Sequence, residues 1–75
     1  MIKYDEGYIQ LVKNIGENIR NIRIKKNLSI KELANKTGFS KSYLYELEKG
    51  KTLGITIKKI IIISKILEVK PSEIF

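Results

Sequence analysis

A chain of 75 residues supports one small core and leaves no room for a deep catalytic cleft, because a domain this short buries only about 60% of the surface its unfolded chain exposes. It contains no Cys and no His, which removes disulfide staples and the commonest zinc ligands, so packed apolar side chains must hold it together. Fifteen Lys and Arg against eight Asp and Glu give a net charge of +7, which suits an anionic partner such as nucleic acid or a membrane surface; a composition biased toward Lys and Ile is the competing explanation.

In chain order, apolar residues at 8, 11, 12, 15, 19 and 22 recur at spacings of three and four and predict a first helix from about Tyr8 to Ile24. Asp5 is one candidate cap; Asn14 and Gly16 mark the alternative, a break and a later start. The helix is expected to end near Lys25 to Asn27, where cations suit the dipole and Asn tolerates a left-handed cap. Ser29 followed by Glu32 has the capping-box spacing and starts a second helix, ending at Gly38. Ser40 caps a third, carrying Tyr43, Leu44 and Leu47 and ending at Gly50.

Residues 51–55 form a loop, Thr56 caps a fourth helix to about Glu68, and Pro71 opens a last helical turn that returns Ile74 and Phe75 to the core. On helix 4, Ile57, Ile60, Ile61, Ile63, Ser64 and Leu67 are expected to face the core, with Ile62 and Ile66 on the opposite side. No strand pattern, repeat or linker is seen. The first ten residues lack a signal-peptide pattern, and the longest apolar run, Ile60 to Ile63, is far below the roughly 20 residues needed to cross a bilayer. The expectation is an all-α, cytoplasmic chain.

Helices 2 and 3, separated by Gly38, Phe39 and Ser40, describe a helix-turn-helix, whose second helix enters the major groove of DNA. Ala34 is small where the helices approach, Gly38 makes the turn, and Leu33, Phe39, Leu44 and Leu47 supply packed faces. The stretch LSIKELANKTGFSKSYLYELEKGK and the ending ILEVKPSEIF resemble the Cro/repressor (XRE) family of helix-turn-helix regulators over residues 15–75. The resemblance implies a compact five-helix DNA-binding domain of the lambda-repressor-like type and a transcriptional regulator, with repression as the expected sense. It is silent on residues 1–14, an N-terminal extension that either stands apart or continues helix 1.

Counted from the Ser40 cap, Lys41, Ser42, Tyr45 and Glu46 lie opposite Leu44 and Leu47, on the face a groove-entering helix presents. Lys donates to guanine, Glu accepts from cytosine N4, and Ser does either, so these four are the candidate base contacts. Lys36, Ser40, Tyr43, Lys49 and Lys51 ring that helix as candidate phosphate contacts; Lys41 also has the reach, and Tyr43 reads equally as packing at the helix edge. Between residues 13 and 51 there are ten basic and four acidic residues, so most of the charge excess sits on this half. The ordinary reading of the same residues is a solvated surface. The resemblance makes Arg23 and Glu48 a structural ion pair between helices 1 and 3, with Arg23 on a phosphate as the alternative. Three departures stand out. Ile30 replaces a common Gln that holds a phosphate, Thr37 replaces a common Leu, and the loop at residues 52–55 is apolar where the family is polar or basic.

No nucleophile system, phosphate-binding Gly loop or metal-ligand cluster is seen, so no enzyme and no cofactor are expected. The expected partners are a two-fold symmetric double-stranded DNA operator and a second copy of the chain, with no membrane. The apolar excess at Ile62 and Ile66, with Leu53, Ile55 and Phe75, is the candidate dimer surface. Two alternatives compete: the N-terminal extension with Tyr4 and Tyr8 folding over that surface, or Ile present through compositional bias. A protein-interaction module on the same fold, such as an antitoxin-like or anti-regulator partner, is the alternative function.

Overall fold

The computed structural model describes residues 5–75. Four α-helices, α1 (Glu6–Lys25), α2 (Ile30–Thr37), α3 (Lys41–Glu48) and α4 (Ile57–Leu67), precede one 3₁₀ turn at Pro71–Glu73. No strand occurs among the described residues. The expected fifth helix is therefore a single turn. Its bonds run from Glu73 N–H to the Lys70 carbonyl and from Ile74 N–H to that of Pro71, the i to i+3 pattern that rarely extends beyond a few residues.

The helix starts are set by side-chain caps. The Asp5 carboxylate accepts the Tyr8 N–H at 2.7 Å, Ser40 Oγ accepts that of Tyr43 at 3.0 Å, and Thr56 Oγ1 accepts that of Lys59 at 3.3 Å. Ser29 and Glu32 form the reciprocal capping box, both bonds 3.0 Å long. Those bonds hold the Glu32 carboxyl below its ordinary pKa, the one to the Ser29 backbone contributing most. Each such cap is worth about 1 kcal/mol, which matters for α2 and α3 because two-turn helices are unstable alone. Asn27 takes the left-handed conformation at φ 59° just past α1, as its position in the sequence predicts.

α1 does not break at Gly16. The helix runs unbroken from Glu6, and Tyr4, offered as part of a covering arm, lies outside the described residues. Gly16 is needed for a different reason: it is buried against the last turn of α3, where an added methyl group would collide with the Leu47 carbonyl oxygen and lie 3.0 Å from that of Glu48. The core behind this contact consists of Ile15, Ile19, Leu33, Leu44, Leu47, Ile60, Ile63, Leu67 and Ile74, with Ala34 at the α2 crossing. Asn18 Nδ2 donates to the Ile74 carbonyl at 2.8 Å and ties the C-terminal turn to α1.

α4 presents a different face from the expected one. Ile60, Ile63, Ser64 and Leu67 are buried, but Ile57 is 69% exposed and Ile61 37% exposed, while Ile66 packs against the core and Ile62 is half-buried. At about 100° per residue the buried arc centres between Ile60 and Leu67. Ile61 falls at one edge of that arc and Ile66 at the other, and only the second edge has core neighbours against it. Ile57 sits in the first turn, where it remains open. The outward apolar residues of α4 are thus Ile57 and Ile61, not Ile62 and Ile66.

Gly16→Ala tests the α1 to α3 approach. In an open helix this change stabilises by about 1 kcal/mol; here the clash is with backbone, and overpacking of about 2–3 kcal/mol leaves a net loss of about 1–2 kcal/mol. A thermal melt followed by circular dichroism is expected to show a fall of roughly 5–15 °C. Gly54→Ala, where nothing lies within 4 Å of the added carbon, is the control expected to stay near wild type.

Candidate nucleic-acid interface

The turn between α2 and α3 is tight and fully bonded. Gly38 adopts φ 81° and its N–H donates to the Ala34 carbonyl at 2.9 Å. Thr37 Oγ1 donates to the Leu33 carbonyl at 2.8 Å and accepts the Phe39 N–H at 3.2 Å, so one hydroxyl links the last turn of α2 to the first residue beyond Gly38. A Leu at this position would lack both bonds. Leu44 and Leu47 point inward at 0% exposure, which turns the opposite face of α3 to solvent.

On that face Lys41, Ser42, Tyr45 and Glu46 are all exposed and together line one shallow depression. The structure brings the four candidate base contacts together. Lys36, Ser40, Lys49 and Lys51 are exposed around them. Lys49 is partly fixed, its Nζ lying 4.3 Å from the centroid of the Tyr45 ring.

Tyr43 takes the packing half of its expected role. Its hydroxyl is enclosed with no hydrogen-bond partner, its ring meets Phe39 edge-on at 5.6 Å, and Lys59 Nζ lies 4.6 Å from its centroid. Tyr43 is a packing residue between α3 and α4 rather than a free phosphate donor, and burial raises its pKa above the ordinary value.

Arg23 and Glu48 form a bidentate pair, Nε to Oε2 at 2.7 Å and an Nη to Oε1 at 3.0 Å, while the other Nη donates to the Leu28 carbonyl at 2.7 Å. With side chains only 12% and 5% exposed, the pair is enclosed and its donors and acceptors are matched. One guanidinium therefore links α1, the α1 to α2 loop and the end of α3. Three of the five guanidinium N–H donors of Arg23 are engaged in this arrangement, which is the structural half of its expected role. Arg20, one turn earlier on α1, is exposed beside the pair and was not among the expected site residues; only the neighbouring Arg23 carried a sequence signal.

The apolar loop also gains a structural role. Tyr8 donates its hydroxyl to the Leu53 carbonyl, and Leu53 and Ile55 are half-buried, with Phe75 50% exposed nearby at the C-terminal turn. Tyr8, Leu11, Ile55, Ile57 and Phe75 border an apolar groove at the α1 to α4 junction. No helix among the described residues is long and apolar enough to cross a membrane.

A short helix held by two glycine-dependent turns, polar on its outer face and ringed by Lys, is the geometry of a major-groove reader. The helix-turn-helix family model matches residues 19–74. The chain belongs to the helix-turn-helix family. Within it, the likeness is to regulators of the Cro/repressor (XRE) type. The HTH-type transcriptional regulator SlrR of Bacillus subtilis is 39% identical over 61 residues, covering 81% of this chain and 40% of SlrR. The chain thus spans about two fifths of the length of that relative. Among solved structures, the restriction-modification controller protein C.AhdI from Aeromonas hydrophila superposes with a TM-score of 0.79 at 32% identity, over 88% of this chain and 97% of that one. The biofilm master regulator SinR, solved in complex with DNA, gives 0.75 at 33% identity, over 80% and 95%.

Tyr43→Phe separates packing from contact. Because the hydroxyl has no partner, its removal is expected to leave DNA affinity within about twofold and to preserve or raise stability by roughly 1 kcal/mol. The raised pKa gives a second readout. The folded chain keeps the phenol proton where the unfolded chain loses it, so this component of stability is present below pH 10 and is lost as pH rises above it. Tyr43→Phe removes that component, which alkaline unfolding curves of the two proteins detect.

Proposed function

We propose that this chain is a sequence-specific reader of double-stranded DNA that represses transcription in the cytoplasm, inserting α3 into the major groove as one half of a homodimer. The observation that carries the reading is the outer face of α3, where Lys41, Ser42, Tyr45 and Glu46 converge on one open surface while every large apolar side chain of that helix except Tyr45 is turned away. Lys36, Ser40, Lys49 and Lys51 are placed to hold the phosphates on either side. A regulator at these positions needs no cofactor, since all of its chemistry is hydrogen bonding and charge.

Fluorescence anisotropy against DNA selected from a random library tests it. A dimer contacting about 6 to 10 phosphates loses affinity steeply with salt, with a log-log slope near −0.9 per phosphate. Lys41→Ala, Ser42→Ala or Glu46→Ala is expected to cost about 1–3 kcal/mol on the selected site and to relax preference at one base position. Lys36→Ala or Lys51→Ala is expected to weaken all sequences equally. Binding that ignores sequence, or an affinity flat in salt, contradicts the reading.

The dimer half of the proposal rests on exposed apolar surface. Ile57, Ile61 and Phe75 form the exposed centre of this proposed surface, half-buried Leu53 and Ile62 border it, and Ile55 and Ile66 are both packed against the core. A second copy packed here by two-fold symmetry sets the two α3 helices against half-sites about 34–36 Å apart. In sedimentation equilibrium, Ile57→Glu with Ile61→Lys is expected to shift the chain to monomer and weaken operator binding, while Ile62→Glu has the smaller effect. A double variant that dimerises like wild type removes this interface.

A further inference from the structure

The helix-turn-helix family model matches from residue 19 onward, whereas α1 starts at Glu6, so roughly three turns of helix lie ahead of the matched segment. On those turns Tyr8, Val12 and Ile15 share one face by their i, i+4, i+7 spacing. Ile15 belongs to the core; Val12 is fully buried outside that core cluster, and Tyr8 is half-buried. The loop from α3 to α4 is what this part of α1 meets. Gly50, buried at φ 73°, lets the α1 backbone come close: a methyl group added there would lie 2.9 Å from Lys13 Cα and 2.8 Å from its Cγ. Three residues further on, the Leu53 carbonyl accepts the Tyr8 hydroxyl. The loop therefore runs back along α1, from Lys13 toward Tyr8, and is fastened at both points.

We propose that the first turns of α1 are a strut for this loop, and that Tyr8 is a positioning residue for DNA binding that acts through Lys51. The Lys51 N–H closes α3 on the Glu46 carbonyl at 3.0 Å, after which the chain turns at Leu53 and Gly54. Gly54 is exposed, with nothing within 4 Å of an added carbon. A turn built on an open glycine has much backbone freedom to lose on ordering. The Tyr8 hydroxyl removes part of that freedom before DNA arrives, which lowers the ordering cost of the complex. Lys51, exposed two residues before Leu53, is the cation whose placement follows the course of this loop. The inference rests on the reading of Lys51 as a phosphate contact.

The test is a double-mutant cycle on the selected operator with Tyr8→Phe, Lys51→Ala and the two combined, each also examined by 15N relaxation. Tyr8→Phe keeps the ring and removes only the hydroxyl. It is expected to raise Kd about threefold to tenfold and to lower the order parameters of residues 52–55 from about 0.85 toward 0.6, with those of α3 and α4 unchanged. On the Lys51→Ala background the same substitution is expected to change Kd by less than about twofold, because the side chain it positions is gone. Losses that simply add overturn the positioning role, and loop order parameters equal to wild type overturn the strut. Sedimentation equilibrium supplies the remaining distinction: a loss of affinity that follows a shift to monomer, with the loop as ordered as in wild type, overturns the proposal and assigns Tyr8 to the apolar face. If wild type binds the operator and Lys51→Ala matches it in affinity and salt slope, the reading of Lys51 fails and the positioning role with it, while a loosened loop in Tyr8→Phe still supports the strut.

Discussion

The C-terminal end of α3 is fastened to α1, and the orientation of the exposed face depends on that attachment. An eight-residue helix has no stable position of its own. Two contacts provide one: Gly16 lets the α1 backbone reach the Leu47 carbonyl, and the Arg23 fork closes on Glu48 one residue further along. A larger residue at 16 pushes the helices apart, and a shorter one at 23 leaves Glu48 as an enclosed, unpaired carboxylate, a loss of about 3–5 kcal/mol in comparable cases. The Leu28 carbonyl on the same guanidinium extends the attachment to the loop leading into α2. Thr37 and Gly38 then fix the angle between α2 and α3 from the other side.

With its inner face fully used, α3 has only one surface left to offer. Positive side chains gather around α3 and the end of α1, where Ile24 is also exposed, while the outward apolar side chains Leu11, Ile57, Ile61 and Phe75 lie on α1, α4 and the C-terminal turn, with Lys58 and Lys65 exposed on α4. The two regions differ in their predominant chemistry. The basic one suits a polyanion that must stay hydrated at its edges; the apolar one suits a copy of the chain that excludes water. Tyr45 and Tyr43 show how narrowly the boundary is drawn. The first stacks a Lys in the open on the outer face of α3, and the second has an enclosed hydroxyl, with Phe39 and Lys59 against its ring.

What the sequence by itself determined is what depends on near neighbours in the chain. Ser29 with Glu32, Ser40, Thr56, Gly38 and Asn27 each act within a few residues, so spacing alone located the starts of α2, α3 and α4, the turn and the left-handed end of α1. The alternation around Leu44 and Leu47 likewise gave the face on which Lys41, Ser42, Tyr45 and Glu46 meet. Tertiary structure alone decided the remainder. Gly16 reads as a helix breaker until α3 is laid against it. Tyr43 reads equally as packing or contact until the fold encloses its hydroxyl. In α4 nearly every position is apolar, so periodicity does not select which side is buried; the core took Ile66 and left Ile57 and Ile61 outside. Arg20 and Arg23, one turn apart, are told apart only by the fold, which pairs Arg23 with Glu48 and leaves Arg20 exposed. The physical reason is common to all four: caps and turns are satisfied by bonds of short range along the chain, whereas burial, steric approach and charge balance are fixed by residues distant in sequence that meet only on folding.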